Sequence, residues 1–273
     1  MVSIAVTPKA SNTASTATTT KIVLILEYDG THYHGFQLQA NLPTIQGEIE
    51  KALRKLTGQR IRVMAASRTD AGVHAREQVV SFRTWSTHSL PTFIKGLNYY
   101  LPRDIAVKAS HKVRDSFNVR RDAVSREYHY YILNSVTRSP LREGFFHLVT
   151  GHLDIGAINQ ACQALIGKRD FASFTNDIGI KSTVRRVYGA EMKKDGELAI
   201  FSMVANSFLP HQVRSTVGTL IRVGLGKMSS DEFYSIIEAK KSGLAGPTAP
   251  ACGLYLVRVN YPHSLEEYID ENL

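Results

Sequence analysis

The densest cluster of polar chemistry in the sequence is Ser67-Arg68-Thr69-Asp70-Ala71-Gly72-Val73-His74-Ala75. An acid set among small residues, beside an arginine, in a loop made compact by Ala71 and Gly72 suits a reactive site, because functional side chains gather on loops held by rigid elements. Aspartate side chains are ionised at neutral pH, so a carboxylate here can act as nucleophile or base. The same residues also suit a plain turn, in which Asp70 caps a backbone N–H and Arg68 is solvated. His74 reads as a structural histidine.

Other candidates fail on spacing. Gly224-Leu225-Gly226-Lys227-Met228 has the look of a phosphate loop, but Ile221 stands where the first glycine is required, and Met228 replaces the Ser or Thr that would hold magnesium. His32 and His34 stand close together with no HExxH helix. Cys162 and Cys252 form neither a zinc-type CxxC pair nor a secreted framework, which leaves a reduced, intracellular setting as the simpler expectation.

The elements that must hold the loop follow from periodicity. Residues 21–28 (KIVLILEY) are an apolar, β-branched run ended by Asp29-Gly30, the pattern of a strand stopped by a turn. Residues 44–57 place Ile45, Ile49, Ala52, Leu53 and Leu56 at helical spacing behind a Thr44 start. Residues 59–66 and 78–84 read as strands, 89–100 as a helix stopped by Pro102, and 105–113 as a strand. The order β-α-β-β-α-β then recurs. Residues 126–133 read as a strand and 155–166 as a helix, followed by a loop with Phe171 and Phe174. Residues 185–193 and 198–205 are strands around the hairpin signal Asp195-Gly196. Helices over 212–225 and 230–241 and a strand over 253–261 complete the unit. The fold class expected is α+β, two tandem ferredoxin-like halves with largely antiparallel sheets. The boundary falls near residues 114–121, giving an N-terminal domain over 21–114 that carries Asp70 and a C-terminal domain over 115–273.

Composition bounds the partner. The 273 residues are 43% hydrophobic and 21% charged, ordinary for a globular protein with a core. There are 33 Lys+Arg against 24 Asp+Glu, a net charge of +9. That excess favours a polyanion, since each cation placed on a phosphate releases condensed counterions, though a merely soluble basic protein has the same balance. Arg114, Arg120, Arg121, Arg126, Lys181, Arg185 and Arg186 are the candidates for tracking phosphates. No apolar stretch approaches the roughly 18–20 residues of a membrane span. Residues 1–20, rich in Ser, Thr and Ala, read as a disordered tail without a secretory or transit pattern.

The segment around Asp70 resembles the RTDAGVHA motif of the TruA-type tRNA pseudouridine synthases. Four further segments resemble that family's motifs in the same order. They are Tyr28-Asp29-Gly30-Thr31 with Tyr33, Gly35, Phe36 and Gln37; Ser125-Arg126-Glu127-Tyr128-His129-Tyr130; Asn206-Ser207-Phe208-Leu209-Pro210-His211-Gln212-Val213-Arg214; and Gly246-Pro247-Thr248-Ala249-Pro250 followed by Gly253-Leu254-Tyr255-Leu256. The likeness runs from about residue 21 to about residue 262. Departures are small: Ser67 where Gly is common, Phe36 where Trp is frequent, and Gln212 where Met is frequent.

The resemblance implies isomerisation of uridine to pseudouridine in the anticodon stem-loop of tRNA, at positions 38 to 40, without cofactor or metal, by a cytoplasmic homodimer. It matches Asp70 to the catalytic carboxylate, Arg214 to the arginine paired with it, and Tyr128 to the active-site tyrosine that stacks on uracil and relays the C5 proton. Arg68 would help hold the target nucleotide out of the stack. The alternative is a non-catalytic RNA-binding protein of RRM-like architecture, but the K/R-G-F/Y-G/A-F-V-x-F/Y strand of an RRM is not present in the sequence.

Overall fold

A computed structural model describes residues 19–176 and 179–268. The expected tail therefore lies outside the described residues except at its end, where Thr20 already belongs to the first strand.

The N-terminal half runs β1 (Thr20–Tyr28), α1 (Ile45–Thr57), β2 (Met64–Ala65), β3 (His74–Thr84), α2 (Leu90–Tyr100) and β4 (Ile105–Val113). Thr44 caps α1 by accepting a bond from the Gly47 N–H, and Gly58 closes the helix in the left-handed region at φ 73°. Ser89 caps α2 in the same way, with Pro91 in the first turn where its missing N–H costs nothing. β1 lies between β3 and β4, antiparallel to both.

The strand expected over 59–66 shrinks to Met64–Ala65. Ile61 and Val63 are buried in alternation, as a strand would bury them. Side chains of α1 satisfy their backbone instead: Val63 N–H donates to Glu50 Oε1 at 3.1 Å, and Val63 C=O accepts from Gln46 Nε2 at 3.4 Å. Alternation recorded the burial and could not register this substitute for a ladder.

The second half runs β5 (Ser125–Asn134), β6 (His147–Val149), α3 (Ile155–Cys162), β7 (Gly167–Asp170), β8 (Val184–Asp195), β9 (Leu198–Ala205), α4 (Gln212–Gly224), α5 (Ser230–Ala239) and β10 (Leu254–Asn260). β6 and β7 are short and were not expected from the sequence; β7 occupies part of the loop foreseen before Phe171. A complete capping box between Ser229 and Glu232 starts α5.

The two sets of strands form one ten-stranded, mostly antiparallel sheet with the path β4-β1-β3-β10-β5-β9-β8-β7; β2 and β6 pair off it. The join is the parallel contact of β10 with the first residues of β3, Tyr255 opposite His74 and Leu256 opposite Ala75. A single hydrophobic core extends through both halves, from Val23 and Phe93 to Phe201 and Leu220. No helix among the described residues is long and apolar enough to cross a membrane.

Candidate active site

The loop from Ser67 to Val73 leaves β2 and enters β3 at the join between the halves, and glycines let the backbone after β1 pack on it. A Cβ on Gly30 would lie 2.0 Å from Val73 O, and one on Gly35, at φ 87°, would lie 2.7 Å from Thr69 O. Only glycine permits that approach. The contact is then closed by backbone bonds: Phe36 N–H donates to Thr69 C=O at 3.0 Å, and Gly72 N–H to Tyr33 C=O at 3.2 Å. The buried Tyr28 hydroxyl, its pKa pushed up to about 12 by burial, bonds Thr69 Oγ1 at 2.8 Å.

His74 fixes the far end of the loop. It is buried, with Nδ1 at 3.0 Å from Asp29 Oδ1 and 3.2 Å from the Gly30 N–H, and Nε2 at 3.1 Å from Cys252 C=O. Its ring stacks on Tyr255. Burial lowers its pKa below the usual histidine range despite the nearby Asp29 carboxylate. A neutral ring that accepts from the Gly30 N–H at Nδ1 and donates to Cys252 C=O at Nε2 fits the two backbone partners, whereas the Asp29 contact needs the proton on Nδ1.

Asp70 lies in a cleft of about 390 Å³ whose lining includes Arg68, Arg120, Arg126, Tyr128, Phe208, His211 and Arg214. Arg214, in the first turn of α4, places Nη1 at 3.3 Å from Asp70 Oδ2. Its Nε donates to Ala249 C=O at 2.8 Å, and its own C=O accepts from the Ala249 N–H at 3.1 Å, so the C-terminal motif aims the guanidinium. Gly218 admits that motif, since a Cβ there would lie 1.8 Å from Pro247 O. The carboxylate thus sits beside the start of α4 and the Arg214 guanidinium.

Tyr128, on β5, is 5% exposed and forms part of the cleft wall. Its ring meets Phe208 edge to face, with centroids 5.1 Å apart. Its hydroxyl lies 2.9 Å from Ser67 Oγ, and burial raises its pKa well above the usual tyrosine value. At neutral pH the phenol therefore carries its proton. Arg68 is exposed in the lining of the cleft.

Two lining residues were not legible as site residues. His211 adopts the left-handed region at φ 61° in the position preceding α4, and its Nε2 lies 3.6 Å from Asp70 Oδ2. Its place three residues before Arg214, one helical turn, was the available signal. Arg126, considered above as a phosphate contact, is 6% exposed and spends its guanidinium on four carbonyls: Ala123, Asn206, Ala66 and Arg120, at 2.7–3.1 Å. It ties the start of the Asp70 loop to the segment that leads into α4. Arg121, another of those candidates, is exposed and pairs with Asp122 at 2.8 Å. Among the described residues no group of three or more His, Cys, Asp or Glu side chains is placed to hold a metal ion.

Residues 24–122 and 161–262 match the family described as tRNA pseudouridine synthase. Similar proteins include tRNA pseudouridine synthase A of Francisella tularensis subsp. novicida, 42% identical over 88% of this chain and 93% of that one. The proteins of the same name from Roseiflexus castenholzii and an Exiguobacterium species are 44% and 43% identical, over 88% of this chain and 90% and 98% of theirs. The chain belongs to the tRNA pseudouridine synthase family, and with it to the isomerases.

Proposed function

We propose that this protein isomerises uridine to pseudouridine in the anticodon stem-loop of tRNA, at positions 38 to 40, with Asp70 as the catalytic carboxylate. The observation that carries the reading is the 3.3 Å pairing of Asp70 with Arg214 in one cleft with Tyr128. In this reaction the N-glycosidic bond breaks, the uracil turns, and a bond forms from C1′ to C5. The proton that leaves C5 balances the one gained at N1.

Asp70 opens the sequence at the ribose, by attack at C1′ or removal of the 2′ proton; both routes need the ionised carboxylate that Arg214 holds in place. Tyr128 offers the uracil a ring on which to stack and a protonated hydroxyl. Because that hydroxyl carries its own proton and is bonded to Ser67 Oγ, it takes the C5 proton only as it hands its own on through Ser67 to solvent in the cleft, which leaves the phenol neutral. Arg68 holds the extruded nucleotide, whose unstacking costs a few kcal/mol. The enzyme acts in the cytoplasm, binds tRNA as a homodimer, and divides near residue 114 into two domains that meet at the cleft.

Incubation of the purified protein with an unmodified tRNA transcript, followed by chemical mapping of pseudouridine, tests this reading. Modification confined to positions 38 to 40 is expected. A protein that binds the transcript without forming pseudouridine would instead support the non-catalytic RNA-binding alternative.

A further inference from the structure

The outer ribbon of the sheet breaks a rule of strand pairing. Between β7 and β8, Lys168 lies opposite Arg186 and Arg169 opposite Arg185, two successive like-charge pairs. Like charges directly across a ladder are destabilising. Successive residues face opposite sides of a sheet, so the two pairs occupy different environments. Lys168 and Arg186 are exposed, where solvent screens them at little cost. Arg169 and Arg185 are half-buried, and in both the Nε is buried with no acceptor. Glu238 at 3.5 Å from Arg169 is the one carboxylate in ion-pair reach of either among the described residues, while Arg185 donates Nη1 to the carbonyls of Ser182 and Val184. Burial also lowers the pKa of Arg185.

This costly pair faces the cleft's side of the sheet. Arg126 and Tyr128 are opposite Ala205 and Met203 of β9, and Ala205 is opposite Val187 of β8. Val187 and Arg185 are two residues apart on a regular strand and share a face, the face of Tyr128. The loop that lines the cleft is tied to the same ribbon: Asn206 N–H donates to Arg186 C=O at 3.0 Å, and Arg186 N–H to Asn206 Oδ1 at 2.9 Å. Natural sequences break their own local rules chiefly at functional sites.

We propose that the Arg169–Arg185 pair is a phosphate clamp that grips the RNA backbone beside the nucleotide held in the cleft. Two half-buried guanidiniums set across a rigid two-strand ribbon suit a phosphodiester, whose charge relieves their mutual repulsion. The assignment rests on the tRNA reading above and deepens it by placing a second contact on the substrate.

The test compares wild type with Arg169→Gln/Arg185→Gln and with Lys168→Gln/Lys193→Gln, which removes the same charge from exposed positions of the same two strands. Affinity for the tRNA transcript is measured over a range of KCl concentrations, with thermal melts alongside. The first variant is expected to bind at least roughly tenfold more weakly at low salt and to flatten the slope of log K against log salt by about 0.7–0.9 for each phosphate no longer neutralised. Its melting temperature should hold or rise, because a repulsive pair is gone; a merely structural pair would lower it. The second variant should keep most of the wild-type slope. Should the double variant fail to fold, Arg169→Gln alone carries the same comparison. Wild-type affinity and slope in the first variant, or equal losses in both, would overturn the clamp. Selective loss in the first variant, in a protein whose wild type forms no pseudouridine, would support the clamp and sink the isomerase reading alone.

Discussion

Asp70 is flanked by two groups on one side, Arg214 at 3.3 Å and His211 at 3.6 Å, and both belong to the start of a single helix. The carboxylate's orientation therefore depends on where α4 begins. Replacing Arg214 with Ala should slow the chemical step in single-turnover kinetics far more than it weakens tRNA binding. Loss of one member of a half-buried charged pair typically costs up to about 3–5 kcal/mol, so melts must accompany the kinetics. Tyr128→Phe and Ser67→Ala test the proton path from its two ends. If the hydroxyl pair carries the C5 proton, each substitution slows turnover and the double variant is no slower than Tyr128→Phe; a wild-type rate in folded Tyr128→Phe would leave the ring with a packing role only. Arg126→Met should destabilise by about 3 kcal/mol or more in chemical denaturation, because four carbonyls lose a donor and each buried acceptor left bare costs about 1–3 kcal/mol. These residues differ in how readily sequence reveals them. Asp70 announces itself by its neighbours, and Arg214 was reached through motif order. Arg126 carries a charge that composition assigns to the surface, and only coordinates reveal that carbonyls consume it.

At the scale of elements, two close approaches hold the reactive loops. Gly218→Ala would drive a methyl group into Pro247 O and separate α4 from the segment that aims Arg214. A loss of about 1–3 kcal/mol is expected from overpacking, with a larger fall in kcat than in KM, read by melts and steady-state kinetics. The second approach, of the residues after β1 to the Asp70 loop, is pinned by His74, whose pKa burial holds below the ordinary value. The sign follows from linkage. A depressed native pKa means that the unfolded chain takes up the proton first as pH falls, so stability present above the ordinary histidine value declines below it. The melting temperature should drop from pH 7 toward pH 5, and His74→Gln should flatten that part of the profile; an unchanged profile would remove His74 as its source. The longer helices and strands were readable from periodicity, because each buries one face. The shortness of β2 was not, because side chains of α1 satisfy the backbone ahead of it, and neither were β6 and β7, which are too short to display an alternation.

At the scale of the molecule, the α+β class with a largely antiparallel sheet was legible from element order, whereas the union of the strands into one sheet was not. The join is the two-residue parallel contact of β10 with β3, strands from opposite ends of the chain, and no local pattern encodes it. That join explains the cleft: the Asp70 loop, Tyr128 and α4 come from different stretches of sequence and converge where the halves share a sheet. The net charge of +9 belongs to this scale too. Affinity for tRNA should fall steeply with salt, since several phosphates are neutralised on binding. A flat dependence of log K on log salt would contradict a backbone-led interface.

The central claim is that one ionised carboxylate performs the isomerisation, and Asp70→Asn tests it most directly. The substitution keeps size and shape while removing charge. Pseudouridine formation in a tRNA transcript should vanish, while affinity for the same transcript and the melting temperature stay near wild type. Substantial pseudouridine formation by folded Asp70→Asn protein would contradict the account.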